Sequence, residues 1–516
     1  MFAQVFSSAL WGIAAKRIQV EVDISLGLPN FCIVGLPDAA VKESRDRVIA
    51  ALKNSELDLP PRHITVNLAP AHLRKEGPAY DLPMALGILA ATGQMTGTSL
   101  GEYLVFGELS LDGRVCSVRG TLSLVMAAQT SGLRKVILPA ENAAEAAVIH
   151  SLEIFPVATL LDAVDHFNNK RPLKPFSPGQ VPAPSEPDGA GCDFSEVRGQ
   201  EQAKRALEIS AAGGHNLLTL GPPGSGKTML ARRLPTILPE LNLEESLETT
   251  RIYSICGLLP QDSALLTRRP FRSPHHTVSD VALIGGGTYP KPGEVSLAHH
   301  GVLFLDELPE FSKNALEVLR QPLEDGQVHI SRASAAVRYP ARFMLMAAMN
   351  PCPCGYYTDP GKECICTPTQ IQKYLNRISG PLLDRMDIQL EVPALKYPEL
   401  TQAQESEPSA GIRERVQAAR LRQELRFSGL RGVHVNAHMG PRLIREHCVL
   451  DAAGHALLRS AIERLGLSAR AYHRVLKVSR TIADLERTDA ILPEFVSEAI
   501  QYRSLDRRYW RKSGSI

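Results

Sequence analysis

The feature that most restricts the fold of this 516-residue chain is a glycine-rich loop set between an apolar segment and a helix-forming one. Residues 216–220 read as a short buried strand that runs directly into Gly221, Pro222, Pro223, Gly224, Ser225, Gly226, Lys227 and Thr228. Residues 227–234 read as the helix that follows. The glycines are required because a backbone that wraps phosphate with its N–H groups inward adopts conformations closed to bulkier residues. Strand, loop and helix in this order form a P-loop: Lys227 puts a point charge on the β/γ-phosphates, and Thr228 offers its hydroxyl to Mg²⁺. ATP and Mg²⁺ are therefore the expected ligands.

Two further apolar segments carry polar groups at their ends. Residues 301–305 (Gly-Val-Leu-Phe-Leu) end in Asp306 and Glu307, the Walker B arrangement. Asp306 would hold Mg²⁺ through water and Glu307 would position the attacking water as a base. Residues 343–348 run on to Asn350, which suits a polar sensor of the γ-phosphate or the water. Three buried strands with polar carboxyl ends predict a parallel sheet covered by helices, with ligands gathered at that edge.

The chain is punctuated by residues 171–191, where prolines recur too often for helix or central strand; this segment reads as a semi-rigid linker. It divides an α+β first domain, residues 1–170, from an α/β core at 192–405 and an all-α lid at 411–516. In the first domain, residues 64–68 and 135–138 read as strands, and residues 80–89 and 122–130 as helices; Ile18, Val20, Val22 and Ile24 alternate like another strand. No apolar run approaches the roughly 20 residues needed to span a bilayer, and the N-terminus lacks a basic leader region, so a cytoplasmic location and no membrane partner are expected. The net charge is only +2, yet residues 411–516 carry 20 Lys+Arg against 11 Asp+Glu. Either solvated helix faces or a cationic surface for a polyanion accounts for that surplus.

Among the nine cysteines, Cys352, Cys354, Cys364 and Cys366 are bunched. Four thiolates in a reducing compartment suit structural Zn²⁺. The spacing is C-x-C rather than C-x-x-C, so four reduced structural cysteines remain the other reading.

Arg272-Ser-Pro-His-His-Thr, the 301–311 stretch, Met349-Asn-Pro-Cys-Pro-Cys-Gly355 and Ser379-Gly-Pro-Leu-Leu-Asp-Arg-Met-Asp387 together resemble the ComM/YifB group of magnesium-chelatase-like AAA+ proteins over essentially the whole chain. The resemblance implies a homo-hexameric ring with active sites between subunits, acting as a DNA helicase that drives branch migration in homologous recombination, including natural transformation. A chelatase-like or MoxR-type remodelling motor acting on a protein partner is the alternative. Arg385 matches the arginine finger, with Arg377 in reserve; Arg470 matches sensor 2 on the lid, with Arg474 one turn on. Two insertions, residues 268–300 and a hairpin at 328–342, correspond to elements that line the pore; Arg272, Arg332 and Arg338 would contact DNA phosphates without reading bases. Packing alone is the other reading of these insertions. The first domain is similar to the Lon-protease-like fold, but Glu76-Gly-Pro-Ala-Tyr-Asp81 lacks the nucleophilic serine and the 120–123 region lacks the lysine, so no Ser-Lys dyad is expected.

Overall fold

The computed structural model of the protein describes every residue except 96–99, 178–191, 261–262, 288–289, 333–334, 358, 360, 395–405, 431, 466, 504 and 506–516. Most of the expected linker and the turn of the 328–342 hairpin lie outside the described residues, as does the side chain of Arg332. The chain forms two compact units: Met1–Pro187 with Leu243–Leu266 and Ser331–Arg338, and Asp188–Asn242 with Thr267–Ile330 and Tyr339–Ile516.

The second unit is built on a five-stranded sheet in the order Phe271–Arg272, Val302–Leu305, Met344–Met349, Leu217–Leu220, Ile388–Glu391. Every pairing is parallel. The central strands are buried along their whole length, as continuous apolar runs covered by helices should be. The strand that feeds the P-loop is thus flanked by the strand ending at Asn350 and by Ile388–Glu391. The C-terminal helices, among them Ser409–Arg426 and Ala469–Leu485, do not make a core of their own. Ile412, Val416, Leu476 and Ile482 join Ala206, Leu207, Leu230 and Leu217 in one hydrophobic cluster. The region is helical, but it is packed as part of the sheet unit.

The first unit is α+β. Its seven-stranded mixed sheet runs Asn30–Val34, His63–Ala69, Ala14–Ser25, Phe2–Trp11, Tyr103–Val105, Lys135–Pro139, Glu153–Val157. In Ala14–Ser25, Ile18, Val20, Val22 and Ile24 are buried while Gln19, Glu21 and Asp23 are partly or fully exposed, the period-two pattern of a half-buried strand. The helix Asp81–Ala91 is buried nearly all round, which suits its near absence of polar residues. The helix Leu243–Cys256, which a contiguous division of the chain assigns to the core, belongs to this unit. Its Arg251 donates to the Ile13 carbonyl (2.6 Å), and Ser254 donates to Glu145 (2.5 Å), which also accepts from the Leu122 amide (2.8 Å). These are side-chain attachments between distant segments, and local periodicity carries no trace of them.

At its start, helix Asp81–Ala91 is pinned by charge. Arg47 donates to Asp81 through Nε (2.6 Å) and Nη2 (3.1 Å), and the Leu109 amide adds a third bond to the same carboxylate (3.2 Å). Burial pushes the Asp81 carboxyl upward, while the bonds from Arg47 oppose that shift. Just upstream, the buried Lys75 ammonium donates to the carbonyls of Gly35 and Pro70, and burial lowers its pKa to about 8. Arg47→Met should leave Asp81 buried without a counterion and cost about 3 kcal/mol of unfolding free energy. Adding Asp81→Leu should restore most of that loss, because an apolar pair replaces a buried charge pair at little net cost. Urea unfolding of the full chain measures both.

Candidate nucleotide site

The P-loop leaves the strand Leu217–Leu220 at its carboxyl end, and the helix Lys227–Ile237 begins at once. Two glycines are demanded by geometry. A Cβ on Gly221 would lie 2.2 Å from the Val392 carbonyl oxygen, and Gly226 has φ +88°, in the left-handed region. No side chain caps the helix, so its first N–H groups remain for a ligand. The loop is closed on its own lysine: Lys227 Nζ donates to the carbonyls of Gly221 and Pro222 (2.8 Å each) and to Asn350 Oδ1 (3.3 Å). Burial lowers the Lys227 pKa to about 8, against the pull of Asp306 and Glu307.

Around this lysine the carboxyl ends of neighbouring strands bring the expected partners together. Thr228 Oγ1 donates to Asp306 Oδ2 at 2.6 Å, so the two groups expected on Mg²⁺ face each other. A hydroxyl and a carboxylate at that separation are the hard oxygen donors the ion takes. Glu307 is held at φ +52°, a conformation that costs a non-glycine residue about 1 kcal/mol or more. That backbone turn directs its exposed carboxylate toward His276, whose Nδ1 lies 3.4 Å from Glu307 Oε2. In the sequence His276 stands only within the Arg272-Ser-Pro-His-His-Thr string that carries the resemblance, and no local pattern signals its approach to Glu307.

Directly after Asn350, the cysteines close into a knot. Sulfur separations are 3.3 Å for Cys352–Cys354, 3.7 Å for Cys352–Cys364 and 3.6 Å for Cys354–Cys364, and Cys366 Sγ accepts from the Cys354 amide at 3.4 Å. Four thiolates around a zinc ion at about 2.3 Å would stand about 3.8 Å apart, so the donor set fits a tetrahedral site. The knot also touches the nucleotide loop. A Cβ on Gly355, at φ +87°, would lie 2.5 Å from Pro223 Cδ.

The arginines are elsewhere. Asp384, Arg385 and Asp387 precede the strand Ile388–Glu391, and Asn216 precedes the P-loop strand, so this group sits at the amino end of the sheet, opposite the P-loop. Arg385 is buried, with Nη2 on Glu324 and Nη1 on the Pro381 carbonyl. Arg470 Nη1 lies 3.6 Å from Asp384, and Arg474 pairs with Asp387. Arg377 is at the other end, bonded to Glu310 (2.8 Å) and the Pro309 carbonyl. The structure therefore brings Lys227, Thr228, Asp306, Glu307 and Asn350 together and leaves Arg385 and Arg470 apart from them. Arg272 is forked onto Glu294 at 2.7 and 2.8 Å, while Arg338 is exposed on the strand Ala335–Pro340.

A parallel sheet with a P-loop at its carboxyl edge, an acid pair on the neighbouring strand and an associated helical C-terminal region defines a magnesium-chelatase-type AAA+ protein. Three family models agree with that class: "Magnesium chelatase, subunit ChlI" matches residues 193–400, "Subunit ChlI of Mg-chelatase" residues 20–142, and "Magnesium chelatase, subunit ChlI C-terminal" residues 406–503. The chain is 47% identical to the uncharacterized protein YifB of Salmonella typhimurium over 506 residues, 98% of this chain and 97% of that one. It is 46% identical to the competence protein ComM of Haemophilus influenzae over 511 residues, 98% of each. A weaker likeness, 27% identity over 201 residues, links it to the Lon protease of Rhizobium meliloti, covering 36% of this chain and 25% of the protease. The chain belongs to the ComM/YifB family of magnesium-chelatase-like AAA+ proteins. Among the described residues, no helix is long and apolar enough to cross a membrane.

The contact between Gly355 and Pro223 can be tested directly. Gly355→Ala forces a methyl group against a rigid ring and adds left-handed strain, an overpacking cost of about 1–3 kcal/mol. If the strain is borne by the loop, ATP affinity should fall by about tenfold. Titration with a fluorescent ATP analogue measures it; an unchanged dissociation constant would mean that the loop yields freely.

Proposed function

We propose that the protein is a hexameric, ATP-driven DNA translocase that promotes branch migration in homologous recombination, including natural transformation. The observation that carries this reading is the two-stranded hairpin Gln327–Arg332/Ala335–Pro340, bearing Arg332 and Arg338. It is inserted between the Walker B strand and the sensor strand, whose carboxyl ends carry Asp306, Glu307 and Asn350 beside the P-loop. Backbone-directed arginines on such an element grip phosphates without regard to sequence. The name of the ComM relative, a competence protein, agrees with handling of incoming DNA. Such a motor would work in the cytoplasm.

In this mechanism, Lys227 exchanges the carbonyls of Gly221 and Pro222 for the β/γ-phosphates of ATP, and the free N–H groups of the P-loop complete the cradle. Mg²⁺, when bound, neutralises phosphate charge; Thr228 and Asp306 are the residues that would hold it. Glu307 orients and deprotonates the attacking water, and Asn350, already bonded to Lys227, reports on the γ-phosphate. The separation of Arg385 and Arg470 from their own P-loop supports their service to a neighbouring subunit, where a finger is typically worth 10³–10⁵ in rate. A homo-hexameric ring gives every P-loop such a neighbour. Zn²⁺ on the four cysteines would brace Asn350 and Pro223 from behind, a structural role.

Two measurements test the proposal. Purified wild-type protein with Mg²⁺ and ATP should bind DNA at low salt and move three- and four-way junctions, with affinity that falls steeply as salt rises. Arg332→Ala with Arg338→Ala should abolish DNA stimulation of the ATPase and junction movement while leaving the DNA-free rate intact. Failure of the wild type to bind DNA or move junctions sinks the helicase reading and leaves a remodelling motor that acts on a protein partner. Separately, the purified protein should carry one zinc per chain, and Cys354→Ser with Cys364→Ser should lose it. Metal analysis by mass spectrometry decides the point, and an equally zinc-free wild type would leave four reduced cysteines.

A further inference from the structure

We propose that Glu324 is a latch on Arg385, holding the guanidinium inside its own subunit until the arginine-bearing hairpin engages DNA. The inference rests on the reading of Arg385 as a residue that serves a neighbour's nucleotide. It begins with the fork itself. Nη2 is bonded to Glu324, Nη1 to the Pro381 carbonyl, and Nε is buried with no hydrogen-bond partner. Two bonds leave three of its N–H donors unused, but with only 7% of the side chain exposed the guanidinium has to leave Glu324 before it can extend to a phosphate on another chain. Burial and the nearby charges of Arg320, Arg470 and Arg474 all disfavour the Arg385 cation, and Glu324 is the carboxylate that offsets them. The two partners are unequal, with Arg385 at 7% and Glu324 at 56% side-chain exposure. A carboxylate so open to water makes a bond that is easily broken.

The position of Glu324 supplies the trigger. It lies in the short helix Arg320–Asp325, which ends on Gly326 at φ +65°, and the hairpin strand starts at the next residue. The Gly326 carbonyl accepts from the Ala341 amide at 2.9 Å, so the base of the hairpin is clamped to the end of this helix. The clamp is closely packed as well: a Cβ on Gly326 would meet the Arg342 side chain at 2.7 Å. A displacement of the hairpin is therefore passed to a residue two positions away. Glu324, Asp384, Arg385, Arg470 and Arg474 line one cavity of about 580 Å³, which gives the guanidinium room to change partners. Glu324 is thus a positioning residue that links the DNA grip to the finger.

The test compares ATPase rates of the full-length protein with and without branched DNA. Glu324→Gln, which keeps the shape and removes the charge, should raise the DNA-free rate by about two- to fivefold, the worth of an ion pair with one exposed partner. The ratio of DNA-stimulated to DNA-free rate should shrink by the same factor. Arg385→Ala should be slow under both conditions, and the double variant should behave like Arg385→Ala alone. Glu324→Ala provides the second reading, and thermal unfolding establishes that both variants are folded. A Glu324→Gln rate that is unchanged or lower, or one that rises equally when Arg385 is absent, overturns the latch. A wild-type rate in Arg385→Ala overturns the finger assignment and the latch with it. Slow Arg385→Ala with unaltered Glu324→Gln overturns the latch alone.

Discussion

A single buried carboxylate, Asp387, ties together the parts of the second unit that a nucleotide site needs in register. It stands at the amino end of the strand Ile388–Glu391, accepts from the Asn216 amide at 3.2 Å, lies 3.4 Å from His215 Nδ1, and pairs with Arg474 on the helix Ala469–Leu485. Burial alone would raise its pKa; the charge of Arg474 and the bond from His215 hold it well below the usual carboxylate range. The consequence is geometric. Asn216 starts the strand that delivers the P-loop, Arg385 is two residues before Asp387, and Arg474 is one turn from Arg470. One charge thus fixes the P-loop strand, the Arg385 segment and the C-terminal helix against each other. Removing its counterion would leave an unpaired buried charge, among the most destabilising changes a core can suffer.

That constraint explains how much of the molecule was legible in the sequence. The P-loop, the acid pair and Asn350 were readable because each ends a continuous apolar run, and such runs declare buried parallel strands. The α+β character of the first unit was readable from alternation at Ile18, Val20, Val22 and Ile24. Two edge strands were not: Phe271–Arg272 is too short for a pattern, and Ile388–Glu391 breaks its apolar run with Gln389. The attachment of the helix Leu243–Cys256 to the first unit was equally silent, since it depends on single side chains such as Arg251 and Ser254. Contacts between residues far apart in the chain leave no local period to find.

The same limit governed the site. Motif position singled out Arg385 and Arg470, and the resemblance implied roles for them, yet neither could say which end of the sheet they occupy. Nor could the sequence pair Arg385 with Glu324, 61 residues earlier. His276 beside Glu307 is a second case, reached only because the edge strand Phe271–Arg272 carries the following loop to the carboxyl ends of its neighbours. In both cases an ordinary exposed-looking residue acquires meaning from the sheet order alone.

The strand Leu217–Leu220 is four residues long, so its two end residues are separated by about 10 Å at the usual rise per residue. Lys227, Asp306 and Glu307 gather at one end, and Arg385 and Arg470 at the other. A parallel strand cannot fold back to bring its own ends together, and the Asp387 network keeps the Arg385 segment from migrating along it. On the proposed reading, a lone chain therefore holds half of each of two active sites and completes neither. Coupling between subunits is then a consequence of sheet geometry, and a ring is the closed arrangement in which every half finds its counterpart.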